Sequence, residues 1–390
     1  MSRTAGAIVI GGDHQGLGIV RSLGRRGVDV VVIDDEHSIS RHSRYAAGSY
    51  RFRELRTDEQ TVGALLSVAE RRDVEGWVVY PTRDETVAAL ARYRSRLLQH
   101  FRIPTPDWQV TQWAWDKRNT YTRAKSLGIP VPRTWYASSE QELDAVDGEP
   151  PYVIKPAIKE HFLYATKCKA WRANTREELA LRFRAAASLL GAEEVMIQEL
   201  IPGGSDSQLA YCAFFKDGIA RASMTARYVR QHPLEFGRAS TFVRTAKVSE
   251  IEEMSLRFLR SIGYYGLVEL EFKHDRRDGC TKLLDVNART WGYHILGQRA
   301  GVDFPYLVYG DQIGLPVPSG IEARPGISWI RLATDLPTAA IELARCRLDW
   351  RTYLRSLRLF DIESVFTPDD LRPSFAELAL LPYLAIKRGI

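Results

Sequence analysis

Two short runs carry acids and an amide on alternate residues. LVELEFK (267–273) holds Glu269 and Glu271, and TKLLDVN (281–287) holds Asp285 and Asn287. In a strand, every second side chain points to one face. Taken as a hairpin across the acid-rich loop 274–280, the first run turns Glu269, Glu271 and Lys273 one way and Leu270 and Phe272 the other. The second turns Leu283, Asp285 and Asn287 together, with Leu284 and Val286 behind them. A register pairing Glu271 with Asp285 gathers Glu271, Asp285 and Asn287 into one oxygen-rich cluster. Carboxylates so close repel one another unless a cation lies between them. Such donors suit Mg2+, which takes a few carboxylates and completes its shell with phosphate oxygens. The competing outcome is a solvated hairpin whose acids face water.

Other stretches supply complementary chemistry. YVIKPA places Lys155 on an apolar strand, where an amine needs an anionic partner such as a nucleotide phosphate. VMIQELIPGG runs from strand into turn, with Gln198 and Glu199 expected exposed at its end. Its backbone amides are suited to an adenine edge, and Glu199 to an amino or hydroxyl group. RYVRQHPLEFGRASTFVRT crowds Arg227, Arg230, His232, Arg238 and Arg244 beside Ser240 and Thr241. Such arginines can clamp a carboxylate or phosphate; the alternative is a solvated basic face. Arg289, Trp291 and His294 follow the metal strand and are expected in the same cleft.

The elements that must position these residues fall into successive units. Apolar runs at 7–10 and 28–33 flank a helix starting near Gly16, the pattern of buried parallel strands. Further helix and strand alternation predicts an N-terminal, doubly wound parallel βα domain over residues 1–106, closed by Pro104 and Pro106. A helix ending at Gly128 follows, then short strands interrupted by helices near 175–190 and 249–262, predicting an α+β unit over 107–318. Its first lobe is expected at 107–197 and its second, with the metal cluster, at 198–318. Residues 319–390 are expected as a helical extension.

The order DK (116–117), VIKP, IQELIPG, LVELEF, LLDVNAR resembles the ATP-grasp superfamily over about residues 107–310. Within it, the resemblance is to carboxylate–amine ligases related to D-aspartate ligase. It implies a two-lobed ATP-grasp domain behind the βα domain. Lys117 and Lys155 would hold phosphates, with Lys159, Lys167 and Lys169 adding charge from the covering loop. Gln198, Glu199, Leu200 and Ile201 would border adenine. Glu271, Asp285 and Asn287 would bind two Mg2+ ions, and Arg289 the transferred phosphate or the substrate carboxylate, making Arg289 and Lys155 the catalytic pair. Arg227, Arg238, Ser240, Thr241 and Trp291 would join Arg289 around substrate. The implied reaction phosphorylates a carboxylate with ATP, and an amine then displaces phosphate from the acyl phosphate. Two departures stand out. Asp285 replaces the usual glutamate, and the covering loop, AIKEHFLYATKCKAW, has no glycine.

Composition narrows the alternatives. A net charge of +6, with no long block of like charge, gives no nucleic-acid arm. Four scattered cysteines suggest neither zinc nor disulfides and point to a reducing compartment, with a cytoplasmic location expected. Arginines interleaved with Leu, Trp and Tyr in IELARCRLDWRTYLRSLRLF, and the apolar, basic-ended FAELALLPYLAIKRGI, leave peripheral membrane contact or a homodimer contact open. Three rival functions remain. A dehydrogenase would use the turn GGDHQGLG with Asp34 and Asp35, although that turn lacks GxGxxG spacing. A carboxylase would use bicarbonate. The third is a non-catalytic ATP-binding regulator.

Overall fold

The computed structural model describes residues 5–237, 239–358 and 360–388. Three sheets organise the chain. The first is parallel, in the order Gly48–Arg51, Val30–Asp34, Ala7–Ile10, Trp77–Pro81, Phe101–Arg102. Its central strands are buried along their whole length, which explains their unbroken apolar sequence. The glycine turn serves packing here: a Cβ on Gly16 would collide with the Gly11 carbonyl.

The second sheet is antiparallel, in the order Thr134–Tyr136, Val195–Glu199, Tyr152–Pro156, Trp171–Ala173. The segment expected as a covering loop instead forms the helix Lys159–Thr166. Without glycine the helix can propagate, and buried Phe162 fastens it edge-on to Trp171 at 4.6 Å.

The third sheet begins with Thr281–Asn287, followed by Gly266–His274, Gln208–Lys216, Ile219–His232 and Ala239–Ala246. Ser328–Ile330 and Ile362–Glu363 extend it, and Ile321–Glu322 pairs with the strand Ile219–His232. The last 72 residues are therefore more than helices, because they add strands to this sheet. They also return to the first domain. There Arg21 donates to Asp370 and to the Val365 carbonyl, and Val365 packs with Leu17 and Ile39. One face of the third sheet meets the first domain through Cys212, Tyr228, Trp291 and Trp329. The other packs Leu270, Phe272 and Val286 against the helix Ser249–Ser261.

No helix among the described residues is long and apolar enough to cross a membrane. The segment considered for membrane contact is partly docked, since Tyr353 stacks under Arg230 and Leu380 packs on the Leu17 cluster.

Candidate active site

The hairpin register is the expected one: Glu271 lies opposite Asp285 and Glu269 opposite Asn287. One detail differs. A bulge shifts the pairing between Glu271 and Phe272, so Phe272 faces Leu283. Leu283 is thereby turned into the core and Leu284 into the cleft, the reverse of strict alternation. Asp285 and Asn287 keep the polar face.

Between the second and third sheets lies a cleft of ≈ 690 Å³, within the roughly 300–1,000 Å³ of small-molecule sites. Lys117, Lys155, Lys159 and Lys169 line it with Glu271 and Asp285. Gln198 through Gly204 and Leu284 form another part of its wall. Lys117 is placed by the Asp116 cap at the first position of the helix Lys117–Ser126, and donates to Asp285 at 2.8 Å. Burial opposes charge on both groups, but each sustains the other: the Lys117 amine is raised and the Asp285 carboxyl lowered. Lys155 donates to the Tyr121 hydroxyl at 2.7 Å. Burial, reinforced by Lys117, pushes its amine down to about 7. Burial also lowers Lys169.

The acidic side is already knitted together. Asn287 donates to Glu271 at 2.9 Å and to Glu269 at 3.1 Å, while its carbonyl accepts from Arg289 at 3.1 Å. Glu269 also accepts from the Tyr293 hydroxyl at 2.6 Å, and burial followed by the Glu271 charge pushes its carboxyl up to about 7. Among the described residues no three His, Cys, Asp or Glu side chains form a ready metal cage. The two carboxylates and one amide do match Mg2+, which keeps several shell positions for water and phosphate oxygens.

Several neighbours escaped the sequence reading as site members. Glu269 shares the parity of Glu271, and that was its signal. Asp84, at the start of the helix Asp84–Arg92, comes from the first domain and binds both Lys159 and Arg289. Those two cations hold its buried carboxyl well below the ordinary range, and they are raised in return. Nothing near Asp84 in the sequence announces a partner 205 residues away.

The remaining expected residues divide. Leu200 and Ile201 line the cleft, the Leu200 amide donates to Pro151, and the Ile201 carbonyl accepts from Lys273. Gln198, expected exposed, is buried and donates to Thr134. Glu199 is held by Lys282 at 2.8 Å and Arg277 at 2.7 Å. Lys167 ends its helix at φ 59, is exposed, and lies outside the cleft lining. Trp291 is fully buried against Phe304 instead of facing the cleft, because the chain turns into the core after Asn287. Thr241 is likewise buried and donates to Asp335, which also takes a two-pronged bond from Arg230. Arg227 pairs with Arg244 and Leu209, on the face opposite Glu271, and is exposed. Ser240 sits near the turn end of its strand, outside the cleft lining. Arg238 lies outside the described residues. The dinucleotide idea loses its acids: Arg83 binds Asp34 and Asp35, and Asp34 occupies the Gly12 amide.

No family model matches the chain. Biotin carboxylase from Campylobacter jejuni, solved as a β,γ-ATP complex, superposes with a TM-score of 0.66 at 15% identity, covering 83% of this chain and 74% of that one. N5-carboxyaminoimidazole synthetase from Staphylococcus aureus complexed with ADP gives 0.65 at 16%, covering 88% and 87%. L-amino acid ligase from Bacillus licheniformis gives 0.62 at 16%, covering 84% and 79%. The chain has the ATP-grasp fold. In sequence, D-aspartate ligase of Enterococcus faecium is 23% identical over 269 residues, which is 66% of this chain. The match spans 64% of that ligase.

Proposed function

We propose that the protein is an ATP-dependent carboxylate–amine ligase. One observation carries this: lysines of the second-sheet lobe and acids of the third sheet converge on a single cleft, with Lys117 bonded to Asp285 across it. Lys117 and Lys155 would bind phosphate oxygens, joined by Lys159 from the covering helix and by Lys169. Glu271, Asp285 and Asn287 would hold Mg2+, which when bound would screen the charge of the phosphoryl oxygens. The linker 198–204 and Leu284 would enclose the adenine. Arg289, fixed by Asp84 and Asn287, is aimed at the same acids and would orient the carboxylate for attack on the γ-phosphate. Positioning and charge neutralisation are the main levers in phosphoryl transfer. The carboxylate oxygen attacks phosphorus and ADP departs. An amine then attacks the acyl carbon and phosphate leaves. D-aspartate ligase and L-amino acid ligase, as relatives in sequence and in fold, favour this chemistry over a carboxylase.

ADP release, screened with carboxylates and amines in pairs, tests the proposal. Asp285→Ala and Lys155→Ala should each lower turnover by orders of magnitude while the variants remain folded. Wild-type turnover in either would remove that residue from the site. ADP release that needs bicarbonate and no amine would replace the ligase with a carboxylase.

A further inference from the structure

The covering helix Lys159–Thr166 belongs to the second-sheet lobe through buried Phe162, yet two of its side chains cross to the first domain. Lys159, its first residue, binds Asp84, and Tyr164, in its last turn, donates its hydroxyl to Glu85. Both acceptors lie in the first turn of the helix Asp84–Arg92. Arg56, also of the first domain, stands 4.4 Å from the centre of the Tyr164 ring.

The contact at Tyr164 is polar in character. Its ring is 42% exposed and adds little to any core, whereas the Glu85 it bonds is 8% exposed. A buried carboxylate that loses a donor keeps the cost of its lost water, so undocking the helix is penalised at Glu85. A hydrogen bond to a charged acceptor shifts such an equilibrium by about tenfold or more. Lys159 alone would not hold a direction, since an ammonium on a four-carbon stem reaches its partner from many helix positions. Contacts at both ends of the helix fix its axis. The consequence falls in the cleft, whose wall includes Lys159. Asp84 also accepts from Arg289 at 2.8 Å, and Lys159 also meets Glu160 at 3.4 Å. The docked helix thus sets the Lys159 ammonium beside the Arg289 guanidinium, on one shared carboxylate.

We infer that Glu85 and Tyr164 are positioning residues: with Asp84 they clasp the covering helix onto the first domain and so hold Lys159 over the nucleotide. The part given to Lys159 rests on the ligase proposal; the clasp itself does not.

Two measurements on the full-length protein test it. Tyr164→Phe removes one hydroxyl from a half-exposed ring and should leave the fold intact. It should speed hydrogen exchange of the 163–167 amides about tenfold and leave the strand Tyr152–Pro156 unchanged. Dissociation of a fluorescent MgADP analogue, chased with excess MgADP, should quicken by the same order. Glu85→Gln keeps an acceptor but drops its charge, and should give a smaller rise in both rates. Added to Tyr164→Phe it should give no further rise, because the bond is already gone. Unchanged exchange at 163–167 in Tyr164→Phe overturns the clasp, as do effects of the two substitutions that simply multiply. Faster exchange with unchanged dissociation overturns the positioning role. A wild type that binds no MgADP analogue would sink the ligase proposal, while exchange at 163–167 would still decide whether the first domain holds the helix.

Discussion

Raising the pH from 7 to 9 should weaken MgADP binding by a factor set by one buried amine. Lys155 lies in the cleft wall and donates to a neutral partner, the Tyr121 hydroxyl. Burial, then the neighbouring Lys117 charge, pushes it down to about 7. A phosphate needs the ammonium form. Below pH 7 that form is present before nucleotide arrives; above it, binding must draw a proton from solvent. The complex therefore has the higher pKa, and affinity falls as pH rises through 7. Each pH unit well above 7 costs about 1.4 kcal/mol. From half charged at pH 7, the amine drops to about one part in eleven at pH 8 and about one in a hundred at pH 9, so Kd should rise about 5-fold and then about 50-fold. Isothermal titration calorimetry in two buffers of unlike ionisation enthalpy reads both quantities, and at pH 9 about one proton should be taken up per MgADP bound. A Kd constant within twofold, with no proton uptake, would refute the reasoning. Lys155 would then either be charged already in the free protein or stand away from the phosphates.

The same amine bears on stability. Its folded pKa lies below its unfolded one, so its cost is full below pH 7 and is relieved as pH climbs toward the unfolded value. Lys155→Met should therefore raise Tm at pH 6, with the gain shrinking by pH 10; a lower Tm at pH 6 would show that burial does not dominate there. Asp335→Ala strands the Arg230 guanidinium and should cost about 3–5 kcal/mol in urea denaturation, and a loss under about 1 kcal/mol would contradict the buried pair. Below the unfolding range that variant should still release ADP at near wild-type rates, as expected if Arg230 and Thr241 are structural. Arg227→Ala, on the far face of the sheet, should change substrate KM by less than twofold; a tenfold rise would return it to the substrate site.

Local pattern determined much of this protein. Alternation in LVELEFK and TKLLDVNAR placed Glu271 opposite Asp285, and the structure has that register. Unbroken apolar runs marked parallel strands, because a strand covered on both faces has no solvent side to record. Order and spacing of the lysine and acid motifs pointed to the ATP-grasp fold. Tertiary structure decided the rest. A one-residue bulge exchanged Leu283 and Leu284, since each face depends on counting every residue of the pair. Asp84 reached Arg289 from another domain, and Thr241 and Trp291 were claimed by the core. Periodicity is a property of one segment and can be read along the chain. Burial and charge pairing depend on what a distant segment brings against that one, and only the folded chain supplies the second partner.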